Sequence, residues 1–263
     1  MAKWRLIFKA LPFVLIILVV KIILVQYLSF EGFVDLQEVR VLLTAGVFLL
    51  GFMLAGTMAD YKESEKIPGE ISIYLESIAE ISHNLALKTG LDTEQIKLEM
   101  LDLSRSIYNW LYKHISHQEM YRALSRYNTT IQRIDQAGGA PPLIGSLSTQ
   151  LHHLRKLVTR TQVISNTGFL ATGYALLELL IAIICVLLLV AKFENLVSEI
   201  VRVLVAGLIY IYMYMLIRDI DDPFEYKAGH QTGSAEVSLL PLEDYIRRLE
   251  QSIKETKYNP VKD

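Results

Sequence analysis

The residues of this 263-residue chain whose types suit chemistry are six histidines, one cysteine and a few charges inside apolar blocks. His114 and His117 lie three apart and share a helix face if that segment is helical. A metal site needs further ligands and groups that orient them, and nothing in the sequence supplies these. His152 and His153 point about 100° apart on a helix, so they do not converge on one ion. Cys185 sits in an apolar run and has no second cysteine for a disulfide or a thiolate metal site. It reads as a small residue facing lipid or core. No GxSxG, HExxH, phosphate loop or GxGxxG context occurs. The expectation is therefore no catalytic residue, no metal, no cofactor and no enzyme. The remaining chemical residues are intramembrane charges, which are costly to bury and functional by default. Lys21, inside the first block, and Arg202, near the start of the fourth, are expected to snorkel to an interface. Glu178 lies about halfway along its block, and it either serves transport directly or makes a structural hydrogen bond.

Four apolar blocks position these charges. Hydrophobic residues make up 52% of the chain, and mean hydropathy is +0.33. They are concentrated in residues 11–28, 41–59, 167–191 and 200–217. Crossing ~30 Å of hydrocarbon takes about 20 apolar residues in a helix, and lipid leaves no other way to satisfy the backbone. A cleaved signal does not fit the first block, which is too long and lacks a small-x-small site. The net charge is −2, so nucleic acid is not an expected partner. Lys3, Arg5 and Lys9 precede the first block, and the first loop carries Glu31, Asp35 and Glu38 against Arg40. The segment after the second block is rich in Lys and Arg. The positive-inside rule then places both termini and the long insert in the cytoplasm of a multi-pass cell-membrane protein.

Residues 60–166 are polar overall but carry helical stripes. Ile71, Leu75, Ile78, Ile81 and Leu85 form one. Ile96, Met100, Leu103, Ile107 and Trp110 form the next. Met120, Leu124, Tyr127, Ile131 and Ile134 follow, then Leu147, Leu151, Leu154 and Val158. Gly90 before Asp92 and Gln95 reads as a stop and a new N-cap, and Ser116 with Glu119 as a capping box. Gly138 to Pro142 reads as a loop. In the tail, residues 229–234 read as a loop, and Pro241 precedes a short amphipathic helix over 242–253. The expected organisation is a first membrane helix pair (1–59), a cytosolic helical domain (60–166), a second helix pair (167–217) and a cytosolic tail (218–263).

Two stretches carry a family resemblance. One is Gly46-Val47-Phe48-Leu49-Leu50-Gly51-Phe52, followed by Asp60-Tyr61-Lys62-Glu63-Ser64-Glu65-Lys66. The other is Arg218-Asp219-Ile220-Asp221-Asp222-Pro223-Phe224, followed by Leu240-Pro241-Leu242-Glu243-Asp244-Tyr245. Together with the four-block order and the long insert, they resemble the bestrophin superfamily, including its divergent prokaryotic membrane proteins. The resemblance implies an all-α membrane protein with a cytosolic bundle inserted between the second and third spans. It implies a homopentamer around a central anion pore lined by the second helix. It places Thr44, Phe48 and Phe52 at the pore neck, and Asp221, Asp222, Pro223 and Phe224 at the motif that ends the fourth helix. Spacing of four independently puts the three neck residues on one helix face, which leaves both pore lining and helix packing open. Thr44 departs from the apolar neck pattern and makes that ring more hydratable. The residues after Phe224 include Lys227 and little acid, so a calcium clasp is not expected there. Asp219, Asp221 and Asp222 read as capping or inter-subunit groups. The leading expectation is an oligomeric channel passing chloride or other small ions passively, with membrane lipid and copies of itself as partners. The alternative is a non-conducting membrane scaffold or sensor that recruits a cytosolic partner.

Overall fold

The computed structural model describes residues 4–30, 32–166, 171–192, 195–226 and 235–258. The expected loop at 229–234, the stretch 227–230 after Phe224, the start of the third block (167–170), Lys3 and Glu31 lie outside them. The chain divides into two compact units.

The first unit comprises Met1–Tyr61 and Thr167–Pro223. Its helices are α1 (Arg5–Tyr27), α2 (Leu36–Ser64, within this unit to Tyr61), α7 (Ala171–Val190) and α8 (Leu196–Asp221). All four are long and apolar enough to cross a membrane, which makes this a membrane protein. Helix α1 meets α8 through Ala10 and Val14, packed near Ile211. Helix α2 presents Leu50 and Met53 to a cluster with Leu177, Ile184 and Leu188 of α7 and Tyr210 and Ile217 of α8. Gly46 makes this approach close, since a Cβ there lies 2.8 Å from the Tyr210 hydroxyl and 3.0 Å from Ile184 Cδ1. Among the described residues a short β pairing joins the two interhelical connections. Val34–Asp35 (β1) runs parallel to Ala191–Lys192 (β2). Gly32 enters this pairing at φ +77°, with its Cβ position 2.8 Å from the Val190 and Ala191 carbonyl oxygens. No side chain larger than hydrogen fits there.

The second unit, Lys62–Asn166 with Phe224–Asp263, holds α3 (Ile67–Thr89), α4 (Thr93–Leu111), α5 (His117–Gln136), α6 (Pro141–Asn166) and α9 (Leu240–Tyr258). The sequence stripes become its core, although Ile81 and Trp110 stay half-exposed. Gly90 ends α3 at φ +71°, and Asp92 accepts from the Glu94 and Gln95 amides at the start of α4. Ser116 and Glu119 form a reciprocal capping box. Pro141 and Pro142 belong to helix rather than loop. They open α6, where a missing N–H costs nothing. Helix α9 is longer than 242–253 and buries Leu242, Tyr245, Leu249 and Ile253. It lies against α3 and α4. The Tyr245 hydroxyl donates to the Leu75 carbonyl at 3.2 Å, and Tyr108 donates to Glu243 at 2.9 Å.

Candidate functional site

Helix α2 has two unlike faces. Gly46, Leu50, Met53 and Thr57, at steps of four, three and four, are buried within the chain. The Thr57 hydroxyl folds back onto the Met53 carbonyl at 3.1 Å, so no polar group is stranded on that face. Thr44, Phe48 and Phe52 occupy the other face. Phe48 is 65% exposed and Phe52 75%. The two largest side chains on this stretch therefore add nothing to the chain's own core. Thr44 is also exposed, and its hydroxyl donates to the Arg40 carbonyl at 2.9 Å. Together with Arg40 they wall a groove of about 1050 Å³ whose opposite side is α8, with Arg202, Val205 and Ile209. Except for the two arginines the lining is almost wholly apolar.

The intramembrane charges behave differently from one another. Lys21 does not snorkel. It is 1% exposed, and its ammonium donates to the Leu189 and Ala191 carbonyl oxygens at 2.7 and 2.8 Å. It also pairs with Glu199 of α8 at 3.2 Å. Ala10, Val14, Ile17 and Lys21 follow steps of four, three and four, so Lys21 continues the face of α1 that meets α8. The carbonyls it takes are at the C-terminal end of α7, where the helix dipole is negative. Burial thus follows from register, which overrides the tendency of a long charged side chain to snorkel. Glu199 was missed as a partner because it reads as loop charge in sequence. The signal was a lone Lys in register with a buried stripe. Arg202 is exposed and lines the groove. Glu178 is exposed at the surface of α7 and accepts a hydrogen bond from Tyr214 of α8 at 2.9 Å.

In the motif after α8, Asp222 caps the helix. The Asp221 carboxylate faces the Tyr174 hydroxyl. Pro223 and Phe224 are buried. Beyond them the Tyr226 hydroxyl donates to the Val237 carbonyl at 2.8 Å, and its ring lies 4.9 Å from that of Tyr112. The histidines do not converge. His114 precedes α5 and stacks on Tyr112, whereas His117 opens α5 against Trp110 and Tyr121. His153 stacks on Tyr74, away from His152. Among the described residues no group of three or more His, Cys, Asp or Glu is arranged to hold a metal. Burial holds the His117 imidazole below its usual range.

Four apolar helices with a helical insert between the second and third define a class of membrane protein, and solved structures show which fold it is. No family model matches the chain, and no curated protein matches it. A crystal structure of a bacterial bestrophin homologue from Klebsiella pneumoniae matches over 94% of this chain and 98% of its own, with a TM-score of 0.75 and 16% identity. A variant of that homologue matches over 95% and 99%, with a TM-score of 0.76 and 16% identity. A further membrane-protein crystal structure covers 95% of this chain and 98% of its own, with a TM-score of 0.74 and 16% identity. The chain therefore has the fold of the bacterial bestrophin homologues along nearly its whole length.

Proposed function

We propose that this protein is an ion channel assembled from several copies of the chain, a homopentamer as the bestrophin resemblance implies. Small anions such as chloride pass down their gradient through a pore walled by α2. The unit of α3, α4, α5, α6 and α9 lies on the cytoplasmic side with both termini, in keeping with the basic residues after the second apolar block.

The observation that carries this reading is the outward face of α2. Thr44, Phe48 and Phe52 form one stripe that the chain itself leaves uncovered, on a helix whose opposite face is fully packed. Copies arranged with these stripes toward one axis give stacked rings, Thr44 hydratable and Phe48 and Phe52 apolar. Apolar rings gate by dewetting, and aromatic edges carry partial positive charge toward an anion. Asp221, Asp222, Pro223 and Phe224 terminate α8, and Glu178 with Tyr214 serves as a structural pair between α7 and α8.

The test is chloride flux from purified protein in liposomes. Phe48→Ala and Phe52→Ala each widen an apolar ring. If each ring contributes ~1.4 kcal/mol of barrier, each substitution raises flux about tenfold. Unaltered flux in both variants refutes the neck assignment. An oligomer that carries no ion flux points instead to the scaffold reading.

A further inference from the structure

We infer that Arg40 is the selectivity-determining residue of this pore, a ring of guanidinium groups at its outer end that favours anions. The inference rests on the pore reading above and names the ion class that the same wall admits.

In sequence Arg40 belongs to an acidic loop beside Glu31, Asp35 and Glu38, and the second apolar block starts after it. The structure moves it. Helix α2 begins at Leu36, so Arg40 is already one turn inside the helix. It stands four residues before Thr44, eight before Phe48 and twelve before Phe52, in the same stripe and on the same groove wall. At 1.5 Å per residue its Cα lies about 6 Å along the axis from that of Thr44 and about 12 Å from that of Phe48. The side chain is exposed, and among the described residues no carboxylate pairs with it. Glu199, an acid from the neighbouring helix α8, is already held by Lys21.

A cation one turn above the Thr44 ring acts on an ion as it enters the neck. That separation of about 6 Å is below the Debye length of about 8 Å at physiological salt, and the Phe48 ring lies beyond it. Apolar walls below the ring keep the local dielectric low, so the field is focused rather than dissipated. Phe48 and Phe52 carry no formal charge, and their ring edges offer an anion only partial positive charge. Arg40 adds a full one.

The experiment measures reversal potentials of liposome-reconstituted channels in a potassium chloride gradient, at high and at low salt. The wild type should favour chloride over potassium. Charge-lined clefts raise local counter-ion concentration about tenfold or more, so Arg40→Gln should lower the permeability ratio at least about threefold. Arg40→Glu should invert the preference, and Arg40→Lys should retain it. Each effect should grow as salt is lowered, which a merely structural role does not produce. A conducting Arg40→Glu variant with unchanged preference overturns the inference. So does a wild type that favours potassium, since the acidic loop then dominates. Absence of current in every form, with the oligomer intact, overturns the pore reading itself.

Discussion

Replacing Lys21 by methionine should leave Glu199 buried without its cation and the Leu189 and Ala191 carbonyls without their donor. The ammonium meets all three within 3.2 Å, and neither charged side chain has ready access to water, at 2% and 10% exposure. Breaking a buried ion pair from one side costs about 3–5 kcal/mol, chiefly because the remaining charge is uncompensated. On the scale of chains this size, that lowers Tm by about 10 °C. Glu199→Gln should cost less, because Lys21 keeps its two carbonyl acceptors. The combined variant Lys21→Met with Glu199→Gln should be more stable than the sum of the two losses implies, with a coupling of ~2 kcal/mol. The assay is thermal unfolding of purified protein in detergent, with Lys21→Arg as the charge-conserving control. The reasoning fails if Lys21→Met costs under ~1 kcal/mol, or if the two substitutions are additive.

Two further outcomes follow from the close approaches and buried groups. Gly46→Val places carbon against the Tyr210 ring and Ile184 and should cost ~1–3 kcal/mol by overpacking, read as a lower Tm, whereas Gly51→Ala meets open space and should be tolerated. His117 has its Nδ1 buried with no hydrogen-bond partner, and burial lowers its pKa. The folded state therefore binds fewer protons than the unfolded one below about pH 6.5. The stability is present above that value and lost as pH falls through the folded pKa. Melting curves from about pH 7.5 to about pH 5.5 should show Tm falling, and His117→Gln should flatten the fall. An identical slope in the variant removes His117 from this account.

The four spans were legible because apolar length alone identifies a membrane helix. The insert was legible for a different reason. Its stripes, such as Met120, Leu124, Tyr127, Ile131 and Ile134, obey one period, and every member is buried. The caps at Asp92 and Ser116 were equally readable, being short-range chemistry. What escaped was long-range or depended on where a helix begins. The pairing of Val34 with Ala191 has no local signature in two residues. Lys21 reads as a snorkelling charge in sequence, because its partners lie far along the chain. Arg40 looked like a loop residue, because the apolar block and the helix start at different places. The neck stripe Thr44, Phe48 and Phe52 was visible in spacing. Its exposure on one chain is a structural fact that spacing cannot give.

The Lys21 cluster also constrains the order in which this protein can be made. Its acceptors, the Leu189 and Ala191 carbonyls and Glu199, all come from the far side of the insert. So does the Ala191–Lys192 segment that pairs with Val34–Asp35. When α1 first enters the bilayer, none of them has been synthesised. A lysine inside the span then opposes insertion by up to about 2.5–3.5 kcal/mol, the cost at a helix centre, and the strongly apolar remainder of α1 has to outweigh it alone. The first helix pair consequently waits in the membrane with an unmatched charge until α7 and α8 arrive, and their docking is rewarded by neutralising it. A lysine that looks like a blemish in the first span thus becomes, once α7 and α8 are in place, one of the contacts that ties them to α1.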